Sequence, residues 1–149
     1  MQIEIRELRE ADIQALADIE AQTFSMPWSA RSFRTLLENP YCFYFVALVD
    51  GRIVGGAGYT ELCGEANIDN VVVAQSYRAQ GIGQALLQAL IAHGEARRIT
   101  AFTLEVRVSN AAAIHMYEKF GFSSEGIRPG FYERPREDAV IMWRRRDKI

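Results

Sequence analysis

Cysteine and histidine are scarce in this chain, two of each, and neither pair has the spacing of a metal or redox site. Cys42 sits in an apolar run and reads as core. Neither it nor Cys63 has a partner histidine that would mark a nucleophile. His93 and His115 both fall on helical patterns, so no metal is expected. No apolar run is long enough to span a bilayer and no signal-peptide pattern stands at the start, which excludes a membrane partner and points to a reducing, cytoplasmic location. Charge of one sign is not in excess either. The formal net charge is −2, so composition gives no support for a nucleic-acid partner. The run Arg144-Arg145-Arg146 is either a basic patch or, more simply, the solvated end of a last strand. Repeats and low-complexity segments are absent. At 149 residues, nearly half of them hydrophobic, residues 1–149 make one domain with one good core. Oligomeric state is left open.

The most patterned stretch runs from Asn67 to Arg97. Val71, Val72 and Val73 form a β-branched run suited to a buried strand. The chain then turns through Arg78-Ala79-Gln80-Gly81-Ile82-Gly83 into a periodic helix, with Ile82, Ala85, Leu86, Ala89, Leu90 and His93 on one face. Glycines at a helix entrance leave room for a ligand, and the free N–H groups and dipole there favour an anion. The loop is neither a P-loop nor a dinucleotide fingerprint. On its own it is equally a tight strand-to-helix turn.

Before this stretch, Ile3 and Ile5 alternate as a short strand, and Leu8 to Phe24 reads as a helix with Ile13, Leu16, Ala17 and Ile19 on one face. Pro27 breaks it. Ser29 caps a second helix bearing Phe33, Leu36 and Leu37, closed by Asn39-Pro40. Tyr41–Val49 and Arg52–Glu61 form a hairpin about Asp50-Gly51. Gly55, Gly56 and Gly58 suggest irregularity or close backbone approach. From Ala66 the apolar rhythm slips: Ile68 is three residues from Val71. A β-bulge near Asp69-Asn70 accounts for this, and so does burial on both faces. After the long helix come a strand over Thr100–Val106, a helix over Asn110–Phe120 ended by Gly121, and a last pair. Its strands are Ser123–Phe131 and Ala139–Arg144, with Pro135, Glu137 and Asp138 in the turn. Central βα units between antiparallel ends mean an α/β (α+β) fold with a mixed sheet.

The combination of V-V-V-A, R-A-Q-G-I-G-Q-A-L-L and L-E-V-R-V-S-N-A-A-A-I-H-M-Y-E-K-F-G-F resembles the GNAT acetyltransferases. Within them it is similar to the RimI-type N-terminal protein acetyltransferases, over nearly the whole chain from Phe24 to Met142. The resemblance implies a mixed sheet of about seven strands with a splayed middle parallel pair, flanked by about four helices. It implies acetyl-CoA as cosubstrate. Val71, Val72 and Val73 would meet its pantetheine arm, and Ala79, Gln80, Gly81, Ile82, Gly83 and Gln84 its pyrophosphate. Many relatives carry a basic side chain where Ala79 stands. Asn110 would contact the cofactor, with Ala111 to Ala113 allowing close approach. The implied partner is a protein N-terminus, usually the alanine of the eighteenth small-subunit ribosomal protein.

Four aromatics would bind that acceptor. Phe24 and Trp28 are either a hydrophobic plug between helices or, by resemblance, one wall of the peptide groove. Phe131 and Tyr132 resemble the pair that closes over the first residue, with Phe131 standing where many relatives have tyrosine.

Acetyl transfer needs a neutral amine and a proton for the departing thiolate. An α-amine, with pKa about 7.7–8.0, asks little of a base; a lysine ε-amine, at about 10.4, asks about 3.5 kcal/mol more. Glu105 is the candidate base, at the C-terminal end of its strand. The plainer alternative is a surface ion pair with Arg107; a role for Arg107 in orienting Glu105 is a further expectation. By resemblance Glu105 is the proton acceptor. Tyr117 is the candidate acid, against the plainer reading of an aromatic packed beneath the sheet; the resemblance favours the acid. Acetylation of a lysine or a small-molecule amine, or non-catalytic acyl-CoA binding, are the competing functions.

Overall fold

The computed structural model describes residues 1–146. Among them one seven-stranded sheet runs in the order β1-β2-β3-β4-β5-β7-β6. Its strands are β1 Ile3–Glu7, β2 Cys42–Val49, β3 Arg52–Leu62, β4 Glu65–Val73, β5 Ala101–Arg107, β6 Ser123–Tyr132 and β7 Glu137–Arg145. The α-helices are α1 Ile13–Thr23, α2 Ala30–Glu38, α3 Ile82–Ala96 and α4 Ala111–Lys119. All neighbouring strands are antiparallel except β4 and β5. A parallel pair cannot be joined by a hairpin, and α3 supplies the crossover.

β2 is buried on both faces, so it lacks the polar alternation of a half-exposed strand. Phe45, Ala47 and Val49 face the core beneath α3, while Tyr44, Val46 and Leu48 face a smaller core under α1 and α2 with Leu16 and Phe33. The α3 stripe is wider than its i, i+3, i+4 face suggests. Leu87, Ile91 and Gly94 are buried alongside Ile82, Leu86 and Leu90, whereas Ala85, Ala89 and His93 are half-buried. His93 Nδ1 lies 2.8 Å from Tyr59 Oη.

Two boundaries differ from the sequence reading. α1 begins at Ile13, not Leu8. Leu8 extends the edge of β1 by donating its N–H to Tyr44 O, and Asp12 gathers the Arg9 N–H and both Arg6 guanidinium nitrogens just ahead of the helix. Glu137 and Asp138 belong to β7 instead of a turn. Their carboxylates are structural acceptors: Glu137 for Arg107 and the Ser109 N–H, Asp138 for the Gly130 N–H. Two of the three arginines of this run are engaged within the fold: Arg144 reaches Phe120 O and Glu95, and Arg145 pairs with Glu125.

The slipped rhythm of β4 is a bulge. Gly58 pairs with Asn70 and Tyr59 with Ile68, so Asp69 is the extra residue. The glycines of β3 answer to close approach, Gly56 and Gly58 by the Tyr44 ring and Gly55 by the β4 backbone at Val72 O. A Cβ at Gly58 would collide with that ring and stand 2.7 Å from Phe43 O. Gly58→Ala is therefore expected to cost about 2 kcal/mol, seen as a lower urea midpoint at unchanged m-value.

Candidate active site

β4 and β5 are paired only at Glu65–Ala101, Ala66–Phe102 and Asn67–Thr103. Beyond those three pairs the strands part. From there β4 is held on one side only, Val71, Val72 and Val73 matching Ala57, Gly56 and Gly55 of β3. Its other edge faces the gap. A cleft of about 810 Å³ occupies the opening, a volume ordinary for a small-molecule site.

The cleft brings together residues from five elements: Phe24 and Trp28 after α1, Val71 on β4, Glu105 on β5, Asn110 and Tyr117 at α4, Phe131 and Tyr132 on β6. Glu105 stands between Leu104 and Val106, both buried in the core. Strand alternation turns it to the opposite face, toward the cleft. Its ion-pair partner is Arg128, at 3.4 Å, not Arg107. Arg107 instead bonds Glu137, Glu133 O and Pro135 O and lies over the Tyr132 ring at 4.5 Å. Both sequence readings of an Arg107–Glu105 pair, as surface bridge or as orienting contact, are thus corrected. The β6–β7 turn draws the guanidinium away.

Tyr117 joins the two alternatives that its sequence left open. Its ring packs on Phe122 and is buried, yet it also lines the cleft. Burial, with a smaller effect from Tyr132, raises its pKa well above the ordinary phenol value. Burial and nearby Glu105 push Tyr132 up to about 12. Trp28 likewise both plugs and lines: it packs against Phe33 and Tyr44 and faces the cleft. Phe24 and Phe131 are exposed at its mouth.

The α3 entrance stands beside the cleft and does not line it. Gly83 links them, since a Cβ there would meet Met116 Sδ at 3.3 Å and Val73 Cγ2 at 3.8 Å; Met116 lines the cleft. Ala79 and Gly81 both have positive φ, 59° and 84°. No side chain caps the helix at Gly81. Val72 and Ile82 have buried side chains, so only their backbones can meet a ligand. Asn110 Oδ1 accepts the Ala113 N–H and caps α4, and His115 is exposed.

Sequence reasoning missed the two cleft carboxylates that are withdrawn from solvent, Glu20 and Asp69. Glu20 is fully buried at the end of α1, where it accepts the Trp28 N–H and an Asn70 amide hydrogen. Asn70 in turn accepts from Tyr44 Oη. Burial raises the Glu20 pKa, opposed by both donors. The signal was available, because Glu20 continues the apolar stripe of Ile13, Leu16 and Ala17. Asp69, the bulged residue, faces the cleft with its pKa raised by burial and restrained by donation from Thr60 and Asn67.

A sheet opened between two parallel strands, with a glycine-bearing helix entrance at its side, defines a class. The acetyltransferase (GNAT) family model matches residues 13–122, and the chain belongs to that family. It is 37% identical over 140 residues to the ribosomal protein bS18-alanine N-acetyltransferase of Escherichia coli, covering 93% of this chain and 94% of that one. The Haemophilus influenzae protein of the same name is 34% identical over 143 residues, 93% and 95% covered. Among solved structures, the ribosomal-protein-S18-alanine N-acetyltransferase from Escherichia coli superposes with TM-score 0.90 at 35% identity, covering 97% and 94%. Ard1 from Thermoplasma volcanium does so with TM-score 0.89 at 26%, covering 97% and 98%.

The entrance loop gives a direct test. Gly81 has open space around it but a left-handed φ. Gly81→Ala should therefore cost about 1 kcal/mol of stability through backbone strain alone, measured by thermal or urea unfolding.

Proposed function

We propose that this chain is an N-terminal protein acetyltransferase, moving acetyl from acetyl-CoA to the α-amine of a protein. The names of the relatives make the N-terminal alanine of a ribosomal protein the first acceptor to try. The observation that carries the reading is the parting of β4 from β5 with Glu105 and Tyr117 on the resulting opening.

Acetyl-CoA suits the residues around that opening. The free edge of β4 at Val71–Val73 leaves backbone groups for the amides of a pantetheine arm. The uncapped start of α3, over Ala79 to Gln84, provides N–H groups and a dipole for a pyrophosphate. That cradle is made by backbone, so it works with alanine at position 79. Asn110 and the small residues Ala111 to Ala113 let α4 come close.

Glu105 then takes a proton from the acceptor ammonium, directly or through one water. The freed amine attacks the thioester carbonyl: a C–N bond forms, the C–S bond breaks, and the sulfur leaves with the electron pair. Tyr117 gives that sulfur a proton, and the second proton shed by the nitrogen as the amide forms returns the phenolate to phenol through solvent. Burial weakens the phenol as an acid, and the same dry surroundings strip solvent from the thiolate and raise its basicity, so the match between them is kept. Phe24, Trp28, Phe131 and Tyr132 hold the first acceptor residue. Where relatives have a hydroxyl at position 131, this chain offers only a ring face.

Glu105→Gln should lower kcat/KM for an alanine-initiated peptide by about 10²- to 10³-fold, and Tyr117→Phe by about tenfold or more, in a thiol-release assay. Peptides with blocked N-termini should give no turnover; acetylation that survives the block, located by mass spectrometry, identifies a lysine acceptor and overturns the reading. The rate should rise with pH to a plateau near about 8, following the acceptor amine. Because the Tyr117 pKa is raised, its proton is retained through the ordinary phenol range, and activity should not fall between about pH 8 and 10.

A further inference from the structure

A second cavity of about 380 Å³ opens off the cleft, and Glu105 and Tyr132 line both. Its walls include Trp28 and Leu36, while Thr60, Asn67 and Asp69 make a polar end. We propose that this cavity receives a cationic side chain, lysine or arginine, from the residues just after the acceptor amine, and that Asp69 selects it. The proposal rests on the reading of a protein N-terminus as acceptor.

Asp69 is built to meet a cation from outside the chain. Among the described residues no arginine, lysine or histidine pairs with it. Its two bonds come from neutral donors: Thr60 Oγ1 to one oxygen and Asn67 Nδ2, at 2.8 Å, to the other. Those bonds fix the carboxylate and leave further lone pairs on each oxygen. The bulge supplies the side chain, since Asp69 is the residue that β3 does not pair. A carboxylate left without a cation in a half-buried setting is costly, and an incoming ammonium or guanidinium removes that cost where a neutral or acidic side chain would not. Apolar walls suit the methylene stem that both cationic residues carry.

Position along the sheet sets which acceptor residue can reach. Asn67 and Thr103 are the last paired residues of β4 and β5. Asp69 and Glu105 each lie two residues further along their strands, and both line the cavity. With the amine at Glu105, residue one is held by Trp28, Phe131 and Tyr132 where the cleft meets the cavity, and an extended acceptor, advancing about 3.3 Å per residue, offers its second or third side chain to Asp69. Arg107 and Arg134 line the cleft with Asp69 but not the second cavity, whose titratable groups besides Asp69 are Glu105 and Tyr132. Arg107 pairs with Glu137, and Arg128 with Glu105.

The test uses the full chain, wild type and Asp69→Asn, with alanine-initiated peptides of otherwise neutral residues. Lysine or norleucine, similar in length and different in charge, is placed at position two or three. Wild type should favour lysine over norleucine by about tenfold in kcat/KM at one of these positions, mainly through KM. In Asp69→Asn that ratio should fall to about one, and in wild type added salt should shrink it. A wild-type ratio near one at both positions overturns the subsite. So does a ratio that Asp69→Asn leaves intact, which is the outcome if Asp69 serves the fold or the α-ammonium. Turnover without cation preference sinks only the subsite, whereas no turnover of any free N-terminus sinks the acceptor reading beneath it.

Discussion

The architecture depends on the failure of one pair of parallel strands to stay together. β4 and β5 share three residue pairs and then diverge, and everything chemical in the molecule is assembled along that divergence. Separating strands within a sheet leaves backbone donors and acceptors without partners, which an interior does not tolerate unless something else meets them. The bulge at Asp69 lets β4 turn away from β5 while keeping its bonds to β3. Half of the backbone satisfaction is thereby retained, and the other half is presented to the opening.

Around that opening, the side chains are held by interactions among residues that also line it. Arg107 ties the β6–β7 turn by bonds to Glu133 O, Pro135 O and Glu137, and so steadies Tyr132 through its ring. Glu20 joins the chain after α1 to β4 through Trp28 and Asn70, and Tyr44 extends the link into β2. The two walls of the cleft are thus braced separately, one by a guanidinium on the surface and the other by a buried carboxylate. Burial raises the proton affinity of Glu20, Asp69, Tyr117 and Tyr132 alike. The reason is common to them: each is buried enough for its charged form to lose water.

Membership of the GNAT family follows from the matched model and from relatives at 34% and 37% identity over most of their length. The family accounts for the open sheet and the glycine-bearing helix entrance. It does not by itself account for Asp69. That residue is placed by an irregularity of one strand, and its environment is read from the structure alone.

Much of the fold was legible in the sequence, since its signals are local. Alternation marks β1, Asp50-Gly51 marks the β2–β3 hairpin, Ser29 caps α2, and the broken rhythm at Ile68-Asp69-Asn70-Val71 left the bulge as one of two readings, which the register of β4 on β3 decides. Period and capping are properties of a few neighbouring residues, so they survive without knowledge of what packs against them. The partners of charged groups were not legible. Glu105 and Arg107 are two apart on one strand, yet each pairs with a residue more than twenty positions away, Arg128 and Glu137. Nor could sequence reveal that Glu20 and Asp69 meet in one cleft, or that Glu137 and Asp138 serve a strand instead of a turn. Those outcomes belong to tertiary structure because charge pairing depends on distance in space, and only the assembled sheet brings β5, β6, β7 and the end of α1 to the same few ångströms.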